Sequence, residues 1–174
     1  MKKRDNKKLT ISIFLLLVSF LNSAYAELLE RIVAVVNEEV ILLSELKDEV
    51  KLRKSQTAEV SDTEVLNEMI NRRLLLGQAK RMRIEGDTES DKSLMTDDII
   101  INNYIERRVK AFIHIPLKDM EDYYKDNSGS YGSKKFYEVK NEIEAKLLET
   151  KLEEKLQEHL RDLRKDSYIR VQLE

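Results

Sequence analysis

The chain has no cysteine and no tryptophan, only one proline, and four glycines in 174 residues. Without cysteine, no disulfide can hold the fold together, and zinc sites built on thiolates are excluded. Only two histidines, His114 and His159, are available as a base or a metal ligand. The stability of the fold must therefore come from the packing of apolar side chains.

The two histidines do not stand in a catalytic pattern. His114 lies among apolar residues just before Pro116, where a histidine typically bonds a nearby carbonyl group. His159 lies in a highly charged segment, and we expect it to face water. Adjacent acids such as Glu153 and Glu154 point in different directions on a helix and do not converge on one site. We therefore expect a protein that is not an enzyme, with no catalytic residues, no cofactor and no metal ion.

The first 26 residues have the pattern of a secretory signal peptide. Five basic residues precede an apolar run from Ile11 to Leu21, and Ala24-Tyr25-Ala26 supplies a small-residue cleavage site. This run is shorter than the roughly 20 residues that span a bilayer. We therefore predict cleavage after Ala26, export, and a single domain of residues 27–174.

The charge balance argues against a nucleic-acid partner. The predicted leader holds five of the 31 basic and one of the 33 acidic residues, which leaves a net charge of about −6 for residues 27–174. The basic residues between Arg72 and Arg83 have acidic residues elsewhere to offset them and are typical of a solvated helix face. We expect no binding of nucleic acid.

Strand-like runs lie at both ends of the predicted domain. Ile32 to Val36 and Val40 to Leu43 are rich in β-branched residues, and Asn37-Glu38-Glu39 separates them, which favours a hairpin over a helix. Residues 167–173 alternate apolar and polar side chains, which predicts a terminal strand. Because an isolated strand is not stable, we predict that it pairs with the hairpin. The expected fold is mainly α with a small antiparallel β-sheet.

The segments between these strands predict helices. Ser44 is the expected N-cap of a first helix that runs to about Arg53, and Ser61 with Glu64 is spaced as a capping box. Apolar residues then recur at helical spacing in four segments: from Ser61 to near Gly86, from Thr96 to Pro116, from Leu117 to Asn127, and from Phe136 to Leu163. The leucine and isoleucine stripes of these segments are assigned to the core.

Both ends of the chain resemble SurA-like periplasmic chaperones. The segment ERIVAVVNEEVILLSELKDEV (30–50) is similar to the opening pattern V-A-V-V-N-x-x-V-I-x-x-S-[DE] of that family. The segment LEEKLQEHLRDLRKDSYIRVQL (152–173) is similar to its closing helix and strand, through the L-R-x-x-[SA]-Y-I-x-[VI] run that begins at Leu163. The middle of the chain resembles the family less, because the segment 86–94 is short.

The resemblance implies a helical chaperone core that acts in the periplasm without ATP. Its clients would be unfolded exported proteins, mainly outer-membrane proteins. In that family, one or two parvulin-type prolyl isomerase domains lie between a segment like DYYKDN and the closing helix. Here a Gly/Ser tract, residues 126–135, stands at that place, so we interpret it as the linker that remains where the isomerase domain is absent.

A chaperone of this kind needs an adaptable apolar surface with a charged rim. Methionine and tyrosine suit such a surface, and those that flank predicted loops are the candidate client-binding residues: Met95, Tyr104, Met120, Tyr123 and Tyr124. For each of them, packing in the core is the plain alternative.

Two other hypotheses stay open at this point. The first is a structural or adaptor protein that forms a homodimer through the long helix from Phe136 to Leu163, by packing or by swapping that helix between protomers. The second is a residual prolyl isomerase. Sedimentation at several concentrations and an isomerase assay distinguish these hypotheses from a monomeric chaperone.

Overall fold

The computed structural model describes residues 30–56, 59–84 and 96–173. This part of the chain is mainly helical, with one three-stranded antiparallel sheet in the order β2-β1-β3. The elements in chain order are β1 (Ile32–Val36), β2 (Glu39–Leu42), α1 (Leu43–Gln56), α2 (Asp62–Arg81), α3 (Asp97–Arg108), a 3-10 helix (Lys110–Phe112), α4 (Leu117–Asp126), α5 (Ser128–Tyr131), α6 (Phe136–Lys165) and β3 (Ile169–Val171). The predicted fold class is confirmed.

Some of the predictions concern residues that the structure does not describe. The predicted signal peptide, residues 1–26, and Met95 lie outside the described residues. The helix that was expected to stop near Gly86 ends at Arg81 instead. Among the described helices, none is long and apolar enough to cross a membrane.

β1 and β2 form a tight hairpin around Asn37. Val36 pairs with Glu39, and Val35 pairs with Val40. Asn37 takes a positive φ of 54°, a conformation that asparagine tolerates better than most residues that carry a Cβ atom. The predicted hairpin is confirmed, and Asn37 is the residue that lets the chain reverse.

The C-terminal strand β3 pairs antiparallel with β1. Val36 is opposite Ile169 and Ala34 is opposite Val171. Beyond the strand, the amide of Gln172 donates a hydrogen bond of 2.8 Å to the carbonyl oxygen of Val33. The two ends of the predicted domain therefore meet in one sheet, as the sequence predicts.

The first two helices begin at acidic turns. α1 begins at Leu43, so the prediction of Ser44 as its N-cap is wrong: Ser44 lies inside the first turn, and the amide of Leu42 donates to Glu45 Oε2 over 2.9 Å. α2 follows Ser61, whose hydroxyl accepts from the amide of Glu64, while the Glu64 carboxylate accepts from the amide of Ser61. The predicted capping box is confirmed, and it satisfies amides that would otherwise lack a partner at the helix start.

α3 ends earlier than the sequence suggests. Its N-cap is Thr96, as predicted, but the α-helix stops at Arg108 and a single 3-10 turn follows. Pro116, which was expected to end this helix, instead stands at the N-cap of α4. Residues 109–116, called the connector from here on, therefore leave the helical path well before the proline.

The Gly/Ser tract, residues 126–135, makes the turn between α4 and α6. It contains the one-turn helix α5 and then Gly132, which has a φ of 57°. Such a backbone conformation strains a residue with a Cβ atom, so glycine is favoured at position 132. The tract reverses the chain so that α4 packs along α6.

The buried apolar residues form two separate clusters. The sheet cluster joins β1 and β2 to α1, α2 and α3, and it includes Leu160 and Leu163 from the end of α6. The α4 cluster consists of Ile115 and Met120 with Val139 and Ile143 from the first half of α6. α6 therefore contributes one end to each cluster.

The predicted leucine stripe of α6 is buried only at its two ends. Leu160 and Leu163 are buried, as expected, but the leucines in the middle, Leu148, Leu152 and Leu156, are only half-buried. They lie in the stretch where α6 leaves one cluster and approaches the other. Leu156 still packs against the sheet cluster and Leu148 against the α4 cluster, and Leu152 between them belongs to neither.

Candidate functional site

A groove runs along the second half of α6, beside this junction between the two clusters. Its main part has a volume of about 480 Å³ and lies between the connector and the middle of α6. A smaller part of about 260 Å³ continues it toward the end of the helix. We call both parts together the connector groove. Residues between Arg108 and His114 line one side, and one face of α6 between Lys151 and Asp162 lines the other.

Phe112 is the most exposed apolar side chain of the connector groove. It is 75% exposed, more than any other large apolar side chain in the part of the chain that the structure describes. Exposing an aromatic ring to water costs free energy that burial against an apolar partner would recover. Phe112 is therefore the candidate residue of this groove for an apolar contact with another molecule.

The backbone of the connector explains why Phe112 faces solvent. The amide of Val109 still bonds Ile105 over 2.9 Å, but the next bonds span only three residues, from Phe112 to Val109 and from Ile113 to Lys110. A 3-10 turn advances 120° per residue instead of 100°. The ring of Phe112 therefore leaves the buried stripe of α3, while Val109 stays buried.

The α6 wall of the groove carries charges of both signs. Lys151 forms an ion pair of 3.0 Å with Asp119 on α4, and Lys155 forms one of 2.7 Å with Glu158. The hydrogen bond from Lys155 holds the pKa of the Glu158 carboxyl below its ordinary value. The charged groups that line the groove number three basic and three acidic: Arg108, Lys151, Lys155, Glu154, Glu158 and Asp162. The groove therefore has no net charge.

His159 and Tyr104 fix one end of the groove to the core. The ring nitrogen Nε2 of His159 lies 2.7 Å from the hydroxyl oxygen of Tyr104, at hydrogen-bond distance. The two rings are 5.7 Å apart between centroids. The prediction that His159 faces water is wrong, because its ring is half-buried against α3 and bonds a side chain that sequence spacing alone does not pair with it.

Burial changes the titration of both rings. It lowers the pKa of His159 below its ordinary value of 6.5, with Arg108 acting in the same direction and Asp162 against it. Burial also raises the pKa of the Tyr104 hydroxyl, while Arg108 opposes this. His159 is therefore held neutral near pH 7, and Tyr104 keeps its proton.

A second groove, of about 680 Å³, lies between α1, α2 and α3. Its arginines are paired: Arg53 with Glu49 and Glu68, Arg72 with Asp98, and Arg73 with Glu39 and Glu45. Exposed ion pairs of this kind hold helices together weakly and leave little charge for a ligand. We regard this groove as a packing boundary between the three helices and not as a binding site.

The structure separates the predicted client-binding residues. Tyr104 is 1% exposed and Met120 is 4% exposed, so in this conformation both are covered by other residues. Tyr123 and Tyr124 are half-buried around the α4 cluster. Met95 lies outside the described residues. Of the four that the structure describes, Tyr104 contacts a residue of the connector groove, through its bond to His159.

The two tyrosines of α4 belong to an aromatic group that closes the Gly/Ser tract. The ring of Tyr124 lies 5.8 Å from that of Tyr131 and 5.7 Å from that of Phe136. Its hydroxyl donates to the carbonyl oxygen of Lys134 over 2.8 Å. The ammonium group of Lys146 lies 5.5 Å from the centre of the Tyr123 ring, a cation–π distance. These contacts fix the turn between α4 and α6.

The described residues hold no group of three or more His, Asp or Glu side chains that could bind a metal ion. His114, which was expected to bond a carbonyl group, is exposed on the connector at the edge of the groove.

A scan against protein-family models finds no match for this chain, and a search of curated proteins finds none either.

Proposed function

We propose that this protein is a periplasmic chaperone that holds unfolded exported polypeptides, without ATP and without isomerase activity, in the connector groove. The observation that carries this proposal is the 75% exposure of Phe112 beside a groove with mixed charges. An unfolded chain presents apolar side chains separated by polar ones. Phe112 offers them an apolar contact, and the rim keeps the empty groove soluble.

The charge balance of the groove fits a client without a fixed sequence. Three basic and three acidic groups line it, so neither an acidic nor a basic segment is strongly repelled. Most of these charges are carried by long lysine and glutamate side chains, which can move aside from a bound segment and whose stems offer apolar surface. A specific ligand would be expected to face a more rigid set of groups.

The position of the groove at the junction between the two clusters also supports the proposal. The groove lies where α6 passes from the sheet cluster to the α4 cluster, and Leu152 in this stretch belongs to neither cluster. Helices that are less tightly packed there can adjust to clients of different shape. The resemblance of both chain ends to SurA-like chaperones points to the same activity, and to outer-membrane proteins as clients.

The test is suppression of aggregation of an unfolded outer-membrane β-barrel protein, measured by light scattering with residues 27–174. We expect suppression near stoichiometric ratios by the unchanged protein. Phe112→Ser should weaken it at least about fivefold, which corresponds to about 1 kcal/mol of lost apolar contact. Tyr137→Ser is the matched control, because Tyr137 is 71% exposed but lies about 20 Å or more along α6 from the groove.

Three results would contradict the proposal. Absence of both suppression and binding would exclude a holdase, and a tight dimer without client affinity would favour the adaptor hypothesis. Equal losses in the Phe112→Ser and Tyr137→Ser variants would show that clients bind exposed aromatic rings in general and not this groove.

A further inference from the structure

One face of α6 carries charges of alternating sign. Lys151, Glu154, Lys155 and Glu158 project on one side of the helix over about two turns, and all four line the connector groove. In chain order their signs are plus, minus, plus, minus. In the reverse direction the order is minus, plus, minus, plus. An antiparallel copy of the same helix therefore presents the opposite charge at each position.

We infer that the connector groove binds a second copy of this chain, with the two α6 helices antiparallel around a twofold axis between Glu154 and Lys155. In this dimer Lys151 faces the partner subunit's Glu158, and Glu154 faces the partner subunit's Lys155. Twofold symmetry repeats both pairs, so the same surface patch serves on each subunit. No helix is exchanged between the subunits.

Phe112 supplies the apolar contact of this dimer. It lines both parts of the groove together with Lys155, so it lies beside the centre of the charge pattern. A twofold axis that is perpendicular to two facing antiparallel helices leaves both connectors on the same side of the helix pair. The two exposed Phe112 rings therefore meet next to the axis, and each covers the other from water.

The ion pairs within one chain do not prevent this arrangement. The side chains of Lys151 and Asp119 are 38% and 44% exposed, and those of Lys155 and Glu158 are 61% and 53% exposed. Exposed pairs of this kind can exchange partners at little cost. The charges set the register, and the Phe112 contact supplies the affinity. Because the contact covers only about two helical turns and the connectors, the dimer is weak and sensitive to salt.

The dimer covers the groove that the proposed function assigns to clients. A client and a second copy would therefore compete, and adding an unfolded client would dissociate the dimer. This competition rests on the proposed function. The dimer itself does not, because it follows from the charges of α6 and the exposure of Phe112.

The test is sedimentation equilibrium of residues 27–174 at several protein concentrations and at low salt. We expect a concentration-dependent dimer that added salt weakens. Glu154→Lys and Lys155→Glu should each weaken it at least about tenfold, because each reversal places two like-charged pairs across the twofold axis. The double variant with both reversals should restore the dimer. Thermal unfolding of each variant shows whether the fold is kept.

The rescue by the double variant distinguishes charge pairing from a general effect on the helix. A protein that stays monomeric at all concentrations would overturn the inference, as would a dimer that is indifferent to both reversals. A dimer that Phe112→Ser leaves intact would overturn the placement of the connectors. Client binding is measured separately, so a monomer that still binds unfolded chains would refute the dimer and support the proposed function.

Discussion

Asn37 and Tyr168, 131 residues apart, are joined by two hydrogen bonds. The amide of Asn37 donates to the carbonyl oxygen of Tyr168 over 2.8 Å, and the amide of Tyr168 donates to Asn37 Oδ1 over 3.0 Å. Asn37, the turn residue of the N-terminal hairpin, is therefore also hydrogen-bonded to the residue that precedes β3. This one residue links the local turn to the closure of the whole sheet.

Replacing Asn37 separates these two roles. Asn37→Gly keeps the backbone conformation but removes the side-chain acceptor, and should lower the free energy of unfolding by about 1 kcal/mol. Asn37→Ala also strains the positive φ and should cost about 1 kcal/mol more. Urea unfolding of both variants measures the difference. Equal stability of the two variants would show that the positive φ at position 37 does not strain an alanine there.

The C-terminal strand should be needed for a cooperative fold. Deleting residues 168–174 removes the pairing with β1 and two residues that pack against the sheet cluster, Ile169 and Leu173. We expect the melting temperature, followed by circular dichroism, to fall by about 10 °C or more. Val171→Thr is the control, because Val171 is half-exposed and threonine keeps the strand propensity. An unchanged melting temperature after the deletion would contradict the closure of the sheet by β3.

The sheet could be predicted from the sequence because its signals are local. β-branched runs indicate β1 and β2, and alternation indicates β3. Their pairing followed because an isolated strand needs a partner and the hairpin was the other strand-like segment. The start of α2 was equally visible, since Ser61 and Glu64 complete a capping box within four residues.

The groove could not be predicted in the same way. Ile105, Val109 and Phe112 keep helical spacing, so nothing in the sequence marks the change to a 3-10 turn that carries Phe112 out of the core. The contact between His159 and Tyr104 joins residues 55 positions apart, and only the tertiary fold brings α6 close enough to α3 for it. Burial of Tyr104 and Met120 depends on tertiary contacts for the same reason.

The capping box should contribute measurably to the start of α2. Ser61→Ala removes an acceptor for the amide of Glu64 and should lower the free energy of unfolding by about 1 kcal/mol. Glu64→Ala should have a similar effect, and the double variant should lose less than the sum of the two. Thr63→Ala, in the same turn but outside the box, should change stability by less than about 0.5 kcal/mol. If the losses in free energy of unfolding were additive, the two hydrogen bonds between Ser61 and Glu64 would be independent, which would contradict a capping box.

His159 should make stability depend on pH in a defined direction. Its pKa is lower in the folded protein than its ordinary value of 6.5, so the unfolded chain binds the proton first as the pH falls. The free energy of unfolding should therefore decrease as the pH falls through the ordinary value of 6.5, and level off below the folded pKa. Chemical unfolding at a series of pH values measures this decrease.

The matched control for this pH dependence is the other histidine. His159→Gln keeps a polar group near Tyr104 but cannot be protonated, and should reduce the decrease in stability over this range. His114→Gln should leave it unchanged, because His114 is exposed on the connector. An identical pH dependence in all three proteins would mean that His159 is as free to take up a proton in the folded state as in the unfolded chain.

The proposed function requires that unfolded polypeptides bind in the connector groove, beside Phe112. A photo-crosslinking residue placed at position 112, and for comparison at position 137, tests it most directly with an unfolded outer-membrane β-barrel protein as client. We predict strong crosslinks from position 112 that an excess of unlabelled client removes, and few from position 137. Equal crosslinking at both positions, or none at position 112, would contradict the claim.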